Sequence, residues 1–96
     1  MSIYLTAIIR SKPGMAHLLK PLLLDMAAGS HTEAACIRYD LHQAMEDENT
    51  FIFQEEWASA EGLEDHRKTK HVQQYRQLSV IFTDGPMVLY TTQQLA

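Results

Sequence analysis

Cysteine is nearly absent from this chain: Cys36 is the only one in 96 residues. An intramolecular disulfide is thereby excluded, and so is a zinc site built on several thiolates. A reducing compartment suits such a chain, and the cytoplasm is the expected location. Basic residues are also few. Eight Lys and Arg stand against twelve Asp and Glu, for a formal net charge of −4, whereas a nucleic-acid partner requires a basic face. The densest basic group, Arg67, Lys68 and Lys70, sits beside Glu61, Glu64 and Asp65. Long apolar runs are missing too. The run over residues 3–9 is too short for a signal-peptide core, and none reaches the length of a bilayer span. Neither nucleic acid nor membrane is therefore expected as a partner. With no repeat, linker or low-complexity tract, residues 1–96 read as one domain.

What is present is apolar surface. Hydrophobic residues make up 46% of the chain, which is generous for a domain this small and points to a subunit interface. Residues 3–10 are β-branched and aromatic and read as a strand with apolar side chains on both faces. Ser11-Lys12-Pro13-Gly14 breaks it. From Met15 the pattern turns helical, with Met15, Leu18, Leu19, Leu22, Leu23 and Met26 on one stripe. Pro21 lies inside the stripe and predicts a kink or restart. Gly29-Ser30-His31 ends the helix.

Residues 36–42 alternate as a second strand, with Ile37, Tyr39 and Leu41 on one face and Arg38, Asp40 and His42 on the other. Residues 51–57 form a third, with Phe51, Phe53, Glu55 and Trp57 together. The short loop between these two strands makes them antiparallel. Glu46-Asp47-Glu48 in that loop lacks the glycine and ligand spacing of a calcium site. Ser59 and Thr69 are placed to cap two further helical segments. The second carries Val72, Tyr75, Leu78, Ser79 and Phe82 on a face. Asp84-Gly85-Pro86 is a turn, and residues 87–95 read as a last strand. The order β-α-β-β-α-β is the ferredoxin-like α+β arrangement, an antiparallel sheet with helices on one side. The uncovered side then needs a partner, most simply a second copy of the chain in a homodimer.

Ile37-Arg38-Tyr39-Asp40-Leu41-His42, Phe53-Gln54-Glu55-Glu56-Trp57, Asp65-His66 with His71, and the Pro13-Gly14 helix opening occur in an order that resembles the antibiotic biosynthesis monooxygenase family. The resemblance spans nearly the whole chain. It implies a dimeric α/β barrel and a monooxygenase that needs no cofactor, acting on a small quinol, polyphenol or related aromatic. Two alternatives stand behind it: an isomerase of a small phosphorylated signalling metabolite, as some relatives are, and a non-catalytic dimer that binds a small molecule. Relatives that degrade haem carry an asparagine where Thr6 stands and a histidine near Tyr75 and Arg76; both departures count against haem. Ala34-Ala35 stands where members of the family often have Pro-Gly.

Oxygenation without metal or flavin requires the substrate to supply electrons to dioxygen, and deprotonating a phenol makes that easier. An imidazole is the natural base. His66 and His71 are the catalytic candidates. Tyr39, Trp57, Tyr75 and Arg38 are the candidates for substrate binding, as donors to an oxyanion or as pocket walls. Structural roles compete for the same residues: Tyr39 and Trp57 as core aromatics, Arg38 with Asp40 as a surface or interface ion pair. Glu55, if buried, must pair or hold a proton. No metal site is expected, because His66 and His71 lack the i, i+4 spacing and no third ligand is evident. Cys36 reads as a small apolar filler, and His17, His31 and His42 carry no distinct signal.

Overall fold

The computed structural model describes all 96 residues. Strand β1 (Ile3–Arg10) buries Leu5, Ala7 and Ile9 on one face and keeps Tyr4, Thr6 and Ile8 half-buried on the other. It lies at the centre of the sheet. β3 (Thr50–Trp57) pairs antiparallel on one side of it, and β4 (Val88–Thr92) on the other. β2 (Cys36–Gln43) pairs antiparallel with β3, giving the order β2-β3-β1-β4. This is the expected ferredoxin-like α+β sheet.

Three helices follow the expected order: α1 (Ala16–Ser30), α2 (Ala60–Arg67) and α3 (Lys70–Ser79). The core is a cluster of 15 buried apolar residues between the helices and one sheet face, with Trp57, Phe51 and Phe53 among its most deeply buried members. Ser59 Oγ accepts from the Gly62 N–H at 3.0 Å, and Thr69 Oγ1 accepts from the Val72 N–H at 3.4 Å. Such caps are each worth about 1 kcal/mol. They start α2 and α3 as separate helices, so His66 and His71 fall on different axes.

The structure departs from the sequence pattern at several points. α1 neither ends nor restarts at Pro21; the ring lies early in the helix, where it forgoes only the bond to the His17 carbonyl. Leu18 is 41% exposed, because at 100° per residue it stands about 110° from the centre of the arc formed by Leu19, Leu23 and Met26. Ile37 is 56% exposed. A bulge there sets Cys36 and Arg38 against the consecutive β3 residues Trp57 and Glu56, leaving Ile37 as the extra residue. Cys36, Tyr39 and Leu41 are the β2 side chains that meet the core. Finally, the last strand covers only Val88–Thr92.

No helix is long and apolar enough to cross a membrane. The face away from the helices carries Ile8 opposite Ile52 on β3 and opposite Val88 on β4. Thr6 and Gln54, also opposite one another, are joined side chain to side chain at 2.9 Å.

Candidate functional site

A cavity of about 580 Å³ opens between the sheet and the helices. Leu5 and Ile9 of β1, Met26 of α1, Leu63 of α2 and Val72 of α3 give it apolar walls. The polar groups in the lining are Tyr39, Glu55, His66, Arg67, Tyr75, Arg76, Ser79 and Thr83.

His66 ends up there for local reasons. Ser59 starts α2, and the helix turns Gly62, Leu63 and His66 inward while Glu61, Glu64 and Asp65 face water. Gly62 is required by close approach: a Cβ there would lie 2.3 Å from the Ala35 Cβ. The imidazole is buried, with its ring centroid 4.4 Å from that of Trp57 and 5.4 Å from that of Tyr39. Its Nδ1 lies 2.7 Å from Glu33 Oε2. His71, on the first turn of α3, sets its Nε2 2.7 Å from the same oxygen. A carboxylate oxygen can only accept, so both imidazole nitrogens donate to it. That assigns the Nδ1–H tautomer to His66 and leaves its Nε2 as an acceptor. Burial pushes the His66 pKa down, and the Glu33 carboxylate opposes that shift.

Glu55 faces the cavity from β3. Its Oε1 accepts from the Trp57 indole N–H at 2.9 Å. Burial holds its carboxyl above the usual carboxylate range, although the indole donor pulls the other way. Burial likewise raises the phenol pKa values of Tyr39 and Tyr75, with the Glu55 charge adding to the effect at Tyr39. Both phenols therefore stay neutral and can act as hydrogen-bond donors.

Of the six residues singled out in the sequence, His66, Tyr39 and Tyr75 line the cavity. Trp57 is fully buried behind the lining, where it touches His66 and holds Glu55. His71 lines a smaller hollow of about 230 Å³, whose walls share Met26 and Tyr75 with the main cavity. Arg38 is on the opposite sheet face, exposed and paired with Asp40 at 2.6 Å; alternation about the bulge points it away from the cavity.

Glu33 was not anticipated. It sits in the turn between α1 and β2, and no local pattern marks it; only the need of one buried and one half-buried imidazole for an acceptor could have. It also supplies the third donor missing from the sequence reading. Glu33, His66 and His71 each offer one metal-binding atom, and all three atoms lie within 4.8 Å of one another.

Residues 2–78 match the sequence profile of the family described as antibiotic biosynthesis monooxygenase. The chain belongs to that family. Glu33, Glu55, His66, His71 and Tyr75 all fall inside the antibiotic biosynthesis monooxygenase match, whereas the cavity wall from Ser79 to Leu89 lies beyond it. No curated protein matches the sequence. Among solved structures, PA3566 from Pseudomonas aeruginosa is 30% identical, with a TM-score of 0.93 over 99% of this chain and 95% of that one. Rv0793 from Mycobacterium tuberculosis is 22% identical, with a TM-score of 0.91 over 100% and 97% of the two chains. A structure described as an antibiotic biosynthesis monooxygenase is also 22% identical, with a TM-score of 0.91 over 98% and 99%. These last two similarities establish the shared fold.

Proposed function

We propose that the protein is a monooxygenase that needs no bound cofactor and acts on a small quinol or polyphenol. One observation carries this reading: His66, anchored through Nδ1 to a carboxylate at 2.7 Å, stands in the wall of a largely apolar cavity. The Nε2 atom of His66 takes the proton from a phenolic hydroxyl. Glu33 orients the ring and stabilises the imidazolium that forms. The resulting phenolate passes an electron to dioxygen, and the radical pair recombines at a ring carbon. Tyr39 and Tyr75 offer O–H donors to the anionic oxygen, and the Leu, Ile, Val and Met walls keep water from the reactive pair. In sum, one hydroquinone and one dioxygen give one hydroxyquinone and one water, so the substrate supplies every electron.

Oxygen uptake by metal-free, flavin-free protein over a panel of hydroquinones is the direct test. Uptake well above the non-enzymatic rate, lost in His66→Ala, is expected. Rates at the non-enzymatic level throughout the panel would remove the proposal. A non-catalytic binding dimer instead predicts no change on replacing His66 and His71 together by Ala.

A second reading has one observation in its favour. Arg67 and Arg76 belong to the cavity lining, which suits a phosphorylated metabolite that is isomerised by proton transfer. Arg38 and Lys70, both exposed, add nothing to it. This reaction would consume no oxygen, so the same electrode trace separates the two.

We also infer that two copies pair through the sheet face that bears Ile8, Ile52 and Val88. Apolar side chains without helical cover support this arrangement, because a second copy buries them at no cost in new sequence.

A further inference from the structure

The Glu33–His66–His71 cluster has a chemistry beyond proton transfer. We propose that these three residues form a binding site for a divalent transition-metal ion of the zinc type. The donor set is two imidazoles and one carboxylate, which suits zinc, cobalt or nickel and not calcium or magnesium. The donors come from three separate segments: the turn after α1, helix α2 and the first turn of α3. Their convergence is a product of the fold and not of one sequence motif.

The geometry is close to what coordination needs. Both nitrogens point at one carboxylate oxygen from 2.7 Å, so their lone-pair directions meet in the same small volume. All three donor atoms lie within 4.8 Å of one another. Zinc bonds of about 2.0–2.2 Å in a tetrahedron put donors about 3.3–3.6 Å apart. Glu33 must therefore withdraw by about 0.6–0.9 Å to admit an ion. Its place in a turn, and not in a helix or strand, allows that. Each imidazole must move its proton to the other ring nitrogen, and the two nitrogens, within 4.8 Å of each other, must also close toward that spacing.

The surroundings hold the ligands. The Trp57 ring lies against His66. On the other side α1 seats against His71, where a Cβ on Gly29 would come within 2.5 Å of the His71 ring. Three protein donors leave a tetrahedral ion one open position. If His66 is the base proposed above, ion binding at Nδ1 moves its proton to Nε2, and the ion-loaded protein is inactive as an oxygenase. The binding site itself does not depend on that reading.

The test uses the full chain stripped with chelator and titrated with Co²⁺ and, separately, with Zn²⁺. Expected are one ion per chain, a visible d–d spectrum of low-coordinate cobalt, a micromolar or tighter Zn²⁺ dissociation constant, and a rise in thermal midpoint with Zn²⁺. Glu33→Gln and His71→Ala should each weaken binding at least tenfold and abolish the rise, while the exposed His42→Ala should change nothing. Millimolar or absent binding by the wild type overturns the site. So does binding that survives both ligand variants, since the ion then sits elsewhere. If one of those variants fails to fold, His66→Gln provides the same reading on the third ligand.

Discussion

Glu33 and His66 are 33 positions apart in the chain and 2.7 Å apart in space. The carboxylate sits in a turn and the imidazole on α2. The only other side-chain partner of Glu33 is His71, on the same oxygen. Everything catalytic in the proposed chemistry depends on that shared atom, because it decides which nitrogen of His66 is free to accept a proton.

Glu33→Gln keeps the size of the side chain and removes its charge. The oxygenation rate should fall about 10²-fold, as expected for losing an efficient general base. His66→Ala should fall as far or further, and the double variant should be no worse than His66→Ala alone, because the two residues act as one unit. Steady-state oxygen consumption measures all three. Wild-type rates in Glu33→Gln would mean that the carboxylate has no part in proton transfer.

Glu55 gives the fold a pH dependence of defined sign. Its folded pKa lies above the ordinary 4.5, chiefly through burial. The folded chain therefore holds this proton more tightly than the unfolded chain. The stabilisation is fully present below pH 4.5 and is lost as pH rises through the folded value. Glu55→Gln keeps an oxygen for the Trp57 indole and has no charge to bury. Its thermal midpoint should exceed that of the wild type at neutral pH, and the gap should close toward pH 4. Parallel melting curves across that range would contradict this assignment.

Gly29 is held by space and not by backbone angle. An added methyl would meet Cγ, Nδ1 and Cβ of His71 at 2.5–2.8 Å. Gly29→Ala should destabilise by about 1–3 kcal/mol, the usual cost of overpacking. Combining it with His71→Ala should recover part of the loss, since Cγ and Nδ1 are removed while the Cβ at 2.8 Å remains. Denaturant unfolding of the four proteins in the cycle measures the coupling, and simple additivity would show that the two sites do not touch.

Ile8, Ile52 and Val88 form a row across β3, β1 and β4 on the face without helices. Ile52→Lys puts a charge in the middle of the proposed dimer contact. Sedimentation at micromolar concentration should find a dimer for the wild type and a monomer for the variant, with an unchanged circular dichroism spectrum. A wild-type protein that sediments as a monomer would remove the proposed pairing.

Most of the fold could be read from the chain, because local patterns carry it. The alternation through Phe51, Phe53, Glu55 and Trp57 matched the buried face of β3. Ser59 and Thr69 stood where helices begin. The misses were also local in cause. Alternation cannot show a bulge, so it groups Ile37 with Tyr39 and Leu41 on one face, and a six-residue stripe overstates the buried arc of α1 at Leu18.

The site divides the same way. The residue types were evident from the sequence alone: two histidines near a capped helix start, aromatic residues on paired strands, and one acidic residue, Glu55, on an apolar face. Hydrophobic periodicity and capping act over a few residues, so they can be recognised without a fold. Which of these groups meet was decided in three dimensions. The turn after α1 brings Glu33 to both imidazoles, and the bulge and strand register send Arg38 away from the cavity while Tyr39 faces it. Contacts between residues more than thirty positions apart depend on how helices and sheet pack, and no local pattern records them.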